Sequence, residues 1–169
     1  MGKLLMRDKV IDNINWRGDE MVLDVGCGRG LLLIAAAKQL TTDKATGIDL
    51  WRGNIEYNNS PEMVWANACA EGVADRIDVK DGDARQLPFP DESFDMVTSS
   101  FMLHHINSAG QREAVSEMAR VLKSGGRLVI VEIAHTGPYI QVLQANGLAN
   151  AQDQGLGLPL YRQITAWKP

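Results

Sequence analysis

Several large classes of protein are excluded by what this sequence lacks. Cysteine occurs at only two of its 169 positions, Cys27 and Cys69, and this spacing fits neither a disulfide framework nor a zinc site. We therefore expect free thiols, a reducing cytoplasmic location and no bound metal. No apolar run approaches the roughly 18 residues of a membrane span, so we expect no transmembrane segment. The stretch up to Arg7 is too short and too charged for a signal peptide.

Positive charge is also in short supply. The 17 lysines and arginines are outnumbered by 21 acidic residues, which gives a net charge of −4, and they are scattered along the chain. The basic surface of a nucleic-acid-binding protein is therefore missing, and we expect no nucleic-acid partner. What is present, 45% hydrophobic and 22% charged residues, is typical of a globular protein, and the length fits one domain over residues 1–169.

Apolar runs alternate with helical patterns along the chain. Strands are predicted at 21–25, 45–48, 76–80, 94–98, 127–133, 148–152 and 160–167, and helices at 4–16, 30–40, 60–71, 109–123 and 139–145. The alternation predicts an α/β, Rossmann-like, doubly wound, mostly parallel sheet of seven strands, whose last two strands form an antiparallel hairpin. The parts are a short N-terminal helix (1–20), a core that binds the ligand (21–133), and a C-terminal helix and strand pair (134–169).

One segment, residues 21–33, organises the rest. A short apolar strand containing Asp24 passes through Gly26, Cys27, Gly28 and Gly30 into an Ala-rich helix. Glycines allow a ligand to approach the backbone closely, and the N–H groups of such a turn can face that ligand. We predict that this turn binds a small polar group; a purely structural turn is the alternative.

Two further carboxylates follow the second and third predicted strands. Asp49 lies 19 residues after Gly30, where the dinucleotide-binding pattern places its ribose-binding acid. We predict that Asp49 binds a ribose, that Leu50 and Trp51 lie against a base, and that Asp83 and Ala84 read the edge of adenine. Helix capping for Asp49, packing for Trp51 and a simple turn at Asp83 are the structural alternatives.

The spacing of the glycines separates two candidate ligands. A nicotinamide dinucleotide requires Gly-x-Gly-x-x-Gly next to a pyrophosphate, whereas residues 26–30 read Gly-x-Gly-x-Gly behind Asp24. The tighter spacing with a preceding acid favours a zwitterionic amino-acid tail. A nicotinamide-dependent oxidoreductase is therefore disfavoured.

Five segments occur in order at compatible spacing: residues 22–30 read VLDVGCGRG, 47–50 GIDL, 82–84 GDA, 93–97 SFDMV and 120–128 RVLKSGGRL. Together they resemble the successive motifs of class I S-adenosylmethionine-dependent methyltransferases. The branch that the chain most resembles contains the ubiquinone and menaquinone biosynthesis enzymes and other small-molecule methyltransferases. In that branch a sequence similar to Leu-His-His, which this chain has at residues 103–105, follows the fourth strand. The resemblance covers residues 21–133, and the tail fits the last helix and strand pair of that fold.

This resemblance implies S-adenosyl-L-methionine as cofactor. Asp24 and the turn 26–30 would hold its methionine part, Asp49 its ribose, Leu50 and Trp51 the surroundings of its base, and Asp83 and Ala84 its adenine. Ser99, just past the predicted fourth strand, would face the sulfonium.

Methyl transfer by in-line displacement requires mainly that the two reactants be held in line. A dedicated base is not required, and His104, His105 and His135 are the candidates for one; a structural role is the alternative for the adjacent pair. We expect a small-molecule acceptor over residues 99–105, between the N-terminal helix and the segment after Ile133. The short N-terminal segment leaves open a homodimer that completes the pocket, a protein acceptor, or a cofactor-binding regulatory module without turnover.

Overall fold

A computed structural model describes residues 2–52 and 59–169 of the protein, and these form five α-helices and seven β-strands. The helices are Gly2–Asp12 (α1), Leu31–Ala37 (α2), Pro61–Ala70 (α3), Ser108–Val121 (α4) and Gly137–Ala145 (α5). The strands are Val22–Val25 (β1), Ala45–Asp49 (β2), Ile77–Asp81 (β3), Phe94–Ser100 (β4), Leu122–Glu132 (β5), Ala149–Gly155 (β6) and Arg162–Trp167 (β7).

The strands form a single sheet in the order β3-β2-β1-β4-β5-β7-β6. The pairs among β1 to β5 are parallel, and β7 is antiparallel to both β5 and β6. The predicted doubly wound sheet with a C-terminal hairpin is therefore confirmed. β1 and β4 are neighbours in the sheet, but the helices that follow them, α2 and α4, lie on opposite faces. A crevice is therefore expected at the carboxyl ends of these two strands.

Two buried clusters cover the two faces of the sheet. On one face lie apolar side chains of α1, α2 and α3, and on the other those of α4 and α5. Six of the seven residues of α2 are buried, as its nearly continuous apolar sequence predicts. The N-cap of α3 is Ser60, whose side chain accepts the Met63 N–H, and Pro61 occupies the first turn, so this helix begins where the sequence predicts.

Some predicted boundaries are wrong. The first helix ends at Asp12 because the Ile11 carbonyl accepts both the Ile14 N–H and the Trp16 indole N–H. The fifth strand was predicted to begin at residue 127, but β5 begins at Leu122, and the backbones of Gly125 and Gly126 bond to Lys168. β4 continues to Ser100, because Ser99 and Ser100 still pair with β5.

Candidate cofactor and acceptor site

The glycine turn between β1 and α2 is fastened to the end of β2. Gly26 and Cys27 donate their backbone N–H groups to the Ile48 carbonyl oxygen at 2.8 and 3.1 Å. The Gly28 N–H donates to the Asp49 carboxylate at 2.8 Å, and the Gly30 N–H donates to the Cys27 carbonyl at 2.8 Å. The expectation that these four donors face a ligand is wrong, since each binds the protein. The N–H groups of these four residues are therefore not free to bind a ligand.

Glycine is required in this turn for conformation and for space. Gly26, Gly28 and Gly30 have φ angles of 69°, 54° and 86°, in the left-handed region that glycine adopts readily. A Cβ on Gly26 would lie 2.3 Å from Cγ of Met102, whereas the nearest atom to a Cβ on Gly28 would be 3.6 Å away. Met102 follows β4, so the segment after β4 packs directly on the turn.

Asp24 lies behind the turn. Only 1% of its surface is exposed, and its two oxygens accept the Leu33 N–H at 3.0 Å and the Thr98 hydroxyl at 2.8 Å. Burial raises the pKa of this carboxyl from its ordinary 3.8 to about 7, against the opposing effect of these two hydrogen bonds. The contacts tie the turn to α2 and β4. The predicted contact of Asp24 with the methionine part of the cofactor stays a prediction.

Asp49 joins the turn to the loop that follows β2. One carboxylate oxygen accepts the Gly28 N–H at 2.8 Å, and the other accepts the Trp51 N–H at 2.9 Å. The residue is half-buried, and each carboxylate oxygen can accept a second hydrogen bond. The indole N–H of Trp51 donates to Asp81 at 2.6 Å, and Leu50 is exposed. Asp81, which the sequence analysis missed, was detectable as the acid that immediately follows the predicted third strand.

The Asp83 side chain accepts hydrogen bonds from Arg85, two residues later in the sequence. Its oxygens accept from Nε and Nη2 of Arg85 at 3.0 and 2.6 Å, and this guanidinium holds the pKa of the Asp83 carboxyl below its ordinary value. Ala84 is half-buried. The predicted contact with adenine stays a prediction, and Arg85 is a competitor for the Asp83 side chain.

Ser99 and Cys27 are directed into the protein. Ser99 lies within β4, not past it, and is fully buried; among the described residues its Oγ has no hydrogen-bond partner. Cys27 is buried, and burial raises the pKa of its thiol. A Cβ on Gly47 would lie 2.9 Å from Cys27 Sγ, so the thiol packs against β2. The roles predicted for both residues beside the cofactor stay predictions.

The histidines after β4 belong to a 3₁₀ turn, Leu103–His105. His104 Nδ1 lies 2.8 Å from Oε2 of Glu132, and Oε1 of Glu132 accepts the Leu103 N–H at 3.0 Å. Glu132 ends β5 and is 2% exposed. The sequence analysis missed this residue, although it is the single acid in the apolar run 128–133.

The other two candidate histidines have no such partner. The His105 ring packs against the His104 ring at a tilt of 43°, with centroids 4.0 Å apart, and burial and the neighbouring His104 lower the pKa of His105. His135 is exposed and has a left-handed φ of 58°. Neither residue shows a hydrogen bond to a described carboxylate, so the geometry separates His104 from both.

Unusual backbone conformations cluster at this end of the sheet. Trp51, Phe101 and His135 follow β2, β4 and β5, and their φ angles are 57°, 55° and 58°. A left-handed conformation costs a residue other than glycine about 1 kcal/mol or more, and such residues are enriched at functional sites. The end of the sheet at which β2, β4 and β5 end therefore combines buried charge with backbone strain.

The N-terminal helix reaches the same edge. Lys3 Nζ lies 5.3 Å from the centroid of the Phe101 ring, and the rings of Phe101 and Tyr161 are 5.5 Å apart. A Cβ on Gly2 would lie 3.3 Å from the Tyr161 hydroxyl. One wall beside the carboxyl end of β4 is thus formed by α1 and the segment before β7.

The sequence pattern of the methyltransferase-domain family matches residues 23–130, which is more than half of the chain and includes the turn, Asp49 and the histidine pair. The chain belongs to this family. The assignment made from the five motifs is confirmed.

Individual methyltransferases resemble the chain over most of its length. The uncharacterized methyltransferase YcgJ of Bacillus subtilis (strain 168) is 34% identical over 134 residues, covering 79% of this chain and 48% of that protein. A demethylmenaquinone methyltransferase of Symbiobacterium thermophilum is 34% identical over 119 residues, covering 70% of this chain and 44% of that protein. The chain therefore spans about half the length of the curated relatives it matches.

Solved methyltransferase structures show the same fold. A SAM dependent methyltransferase from Aquifex aeolicus gives a TM-score of 0.74 at 20% identity, covering 97% of this chain and 90% of that one.

Within residues 2–52 and 59–169, the chain has no group of three or more His, Cys, Asp or Glu side chains that could hold a metal ion. Over the same residues, each helix is too short or too polar to cross a membrane.

Proposed function

We propose that this chain transfers a methyl group from S-adenosylmethionine to a small-molecule acceptor. The observation that carries the proposal is the 2.8 Å hydrogen bond from the Gly28 N–H to the Asp49 carboxylate. This bond joins the ends of β1 and β2 into one polar surface at the crevice of a doubly wound sheet, where nucleoside ligands bind.

The hydrogen bonds of the turn favour this cofactor over a dinucleotide. A pyrophosphate is bound by free backbone N–H groups, but the N–H groups of Gly26, Cys27, Gly28 and Gly30 are already bound within the protein. Carbonyl oxygens accept hydrogen bonds from an ammonium group and repel a phosphate. The carbonyl oxygens of this turn therefore fit the ammonium group of the zwitterionic amino-acid part of S-adenosylmethionine.

The remaining roles follow the order of the strands. We assign the ribose hydroxyls to Asp49, the surroundings of the base to Leu50 and Trp51, and the edge of adenine to Ala84 with Asp83. Because Arg85 occupies the Asp83 oxygens, the Ala84 backbone is the readier contact. The sulfonium lies toward the end of β4 in this arrangement, beside the backbone of Ser99.

The chemistry needed from the protein is mostly positioning. The bound cofactor supplies a methyl group on a sulfonium, which is already activated for displacement. The turn, Asp49 and Met102 fix one side of the crevice, while Phe101, Tyr161 and α1 bound the other. Correct placement of two reactants can lower a barrier by about 7 to 11 kcal/mol, so rigid placement accounts for much of the proposed rate.

Isothermal titration calorimetry tests the cofactor assignment. We expect saturable binding of S-adenosylmethionine and of S-adenosylhomocysteine, and none of NAD. In Asp49→Asn the affinity for both nucleosides should fall at least about tenfold, because a hydrogen bond to a charged group contributes about 1.5 to 3 kcal/mol. Asp95→Asn is the matched control, since Asp95 lies near the opposite end of β4.

Saturable NAD binding without nucleoside binding would refute the proposal. The acceptor class needs a second experiment, in which a bacterial extract is incubated with the protein and tritiated S-adenosylmethionine. We expect the label in the fraction of small organic molecules. Label found only in precipitated protein would replace the small-molecule acceptor by a protein acceptor.

A further inference from the structure

The pair formed by His104 and Glu132 is not needed to explain the binding of a nucleoside. We propose that His104 is the general base for the acceptor, that Glu132 is its positioning residue, and that the acceptor is a hydroxylated aromatic compound. This inference rests on the proposed function, since it concerns the acceptor side of the same crevice.

The contacts of Glu132 fix the orientation of the imidazole. The carboxylate is 2% exposed, and its two oxygens bind the Leu103 N–H at 3.0 Å and His104 Nδ1 at 2.8 Å. An ionised carboxylate only accepts hydrogen bonds, so a neutral His104 must carry its proton on Nδ1. The lone pair is then on Nε2, the nitrogen that can accept a proton from an acceptor molecule.

The 3₁₀ turn that carries His104 is held in place from several sides. Leu103 is fully buried, and the side-chain amide of Gln111 donates to the carbonyl oxygens of Leu103 and Ile106, both at 3.0 Å. In contrast, 39% of the His104 side chain is exposed. An exposed ring on a fixed backbone is the arrangement expected of a group that meets a ligand, since a pre-positioned catalytic group needs rigid support.

In the sequence, His104 follows closely after a residue that packs against the glycine turn. Met102, two residues earlier, packs on Gly26 so closely that a Cβ there would lie 2.3 Å from Met102 Cγ. The turn Leu103–His105 begins directly afterwards. The segment after β4 therefore runs from the glycine turn to the imidazole without an intervening element.

A purely structural role explains the buried carboxylate less well. Burying an ionised carboxylate costs several kcal/mol after relaxation of the protein. A neutral side chain such as glutamine could accept the Leu103 N–H without that cost. The second oxygen of Glu132 instead contacts a partly exposed histidine, so the charge acts on a group that can reach an acceptor.

The charged and titratable groups around the pair come from the turn itself and from four other elements. Glu132 on β5 faces His104 directly, and the His105 ring packs against the His104 ring from the same turn. Lys3 on α1 acts on His105, and Tyr139 on α5 has its pKa raised by burial and by Glu132. Arg162 on β7 pairs with Glu132 in the sheet, but its guanidinium binds Asp153. Glu132 is therefore the one described carboxylate that contacts His104.

The acceptor class follows from the base and from the aromatic wall. A base contributes only when the attacking atom carries a proton that must be lost, and phenolic hydroxyls have a reference pKa of about 10. The rings of Phe101 and Tyr161, 5.5 Å apart, provide an aromatic surface beside the same turn. Aromatic rings pair favourably with one another.

The hydroxyl oxygen forms a bond to the methyl carbon, while the carbon–sulfur bond breaks and its electron pair stays on sulfur. The hydroxyl proton moves to Nε2 of His104, whose resulting positive charge is stabilised by Glu132, and the proton then leaves to water. The products are a methyl ether and a neutral thioether.

Nuclear magnetic resonance of the ligand-free protein tests the positioning role without an activity assay. The chain contains three histidines, so ¹⁵N-histidine labelling with His104→Gln as the assignment variant identifies the His104 signals. We expect the Nδ1–H tautomer of His104 in the wild type and loss of that preference in Glu132→Gln. Tyr139→Phe is the control and should keep the tautomer. A His104 ring protonated on Nε2 in the wild type would overturn the assignment.

Methylation assays test the base. The probes are catechol and 1,4-dihydroxynaphthalene, compared with aniline, with tritiated S-adenosylmethionine as donor. We expect transfer to the hydroxyl probes. His104→Gln should lose about 10²- to 10⁴-fold in kcat, the usual contribution of general base catalysis, without change in cofactor affinity. Glu132→Gln should show a smaller loss.

Glu113→Gln is the matched control, because Glu113 is an exposed acid on α4, and it should keep the wild-type rate. Wild-type rates in His104→Gln would overturn the base while leaving the proposed function intact. Cofactor binding without transfer to either hydroxyl probe would overturn the acceptor class. Failure of the proposed function itself would appear as absence of cofactor binding in calorimetry.

Discussion

Replacement of Asp24 by asparagine should change how the stability of the fold depends on pH. In the wild type the carboxyl is buried, and burial raises its pKa from 3.8 to about 7. The folded protein therefore holds this proton more tightly than the unfolded chain does. Its contribution to the free energy of unfolding declines as the pH rises from about 4 to about 7, and is constant above that range.

The structure gives the magnitude. One pKa unit corresponds to about 1.4 kcal/mol, so a shift from 3.8 to about 7 corresponds to at most about 4 kcal/mol lost between pH 4 and pH 8. Asparagine is nearly isosteric with aspartate and cannot ionise. Its oxygen can still accept the Leu33 N–H and its amide can donate to the Thr98 hydroxyl, which preserves the two contacts of Asp24.

Urea denaturation at a series of pH values measures the effect. The free energy of unfolding of Asp24→Asn minus that of the wild type should increase by up to about 4 kcal/mol from pH 4 to pH 8. Other titrating groups are common to both proteins and cancel in the difference. Asp12→Asn makes the same change in net charge at an exposed position, so it reports any general effect of charge. A difference that stays constant with pH would refute the reasoning.

Two further predictions concern the same turn and its supports. Thr98→Val removes the hydroxyl that donates to Asp24 at 2.8 Å, and at pH 8 it should lower the free energy of unfolding by about 2 kcal/mol, the usual value for a hydrogen bond to a charged group. Urea denaturation checks this, and an equal or larger loss at pH 4 would contradict it. Gly26→Ala should cost more than the roughly 1 to 2 kcal/mol of a left-handed alanine, because its Cβ would also lie 2.3 Å from Met102 Cγ. Gly28→Ala, with its nearest neighbour at 3.6 Å, is the matched comparison in thermal denaturation, and equal losses would exclude the steric contribution.

Much of the fold could be predicted because its signals are local. The N-cap Ser60 with Pro61, and the turn between β1 and α2, are each encoded within a few residues. The hairpin of β6 and β7 followed from its short connection. In contrast, the early start of β5 depends on pairing of Leu122 with Phe94 and of Gly125 and Gly126 with Lys168. No local pattern of small residues reveals a partner more than 40 positions away.

The site shows the same division. Asp49 was found because its distance from the glycine turn follows from the length of one strand–helix–strand unit. The pairing of His104 with Glu132 joins residues 28 positions apart, and neither segment reveals the other. The direction of the N–H groups in the turn was also hidden, since it depends on the Ile48 carbonyl of a neighbouring strand.

Three acids on the central strands of this sheet illustrate why burial and partners, not position in a motif, decide the role of a carboxylate. Asp24, Asp49 and Glu132 all follow apolar residues of a parallel strand, so the sequence presents them alike. Asp24 is 1% exposed, and both its oxygens bind protein donors. Asp49 has two backbone partners as well, but it is half-buried, so its remaining lone pairs can face the crevice.

Glu132 combines features of both. It is buried like Asp24, yet one of its two partners, His104, has a partly exposed ring. A buried carboxylate of this kind can influence a ligand only through that ring. The His104 tautomer in Glu132→Gln is therefore the measurement that separates a positioning role from a purely structural one. Glutamine can still accept the Leu103 N–H, so a change in the nitrogen that carries the His104 proton reports the effect of the carboxylate on the ring.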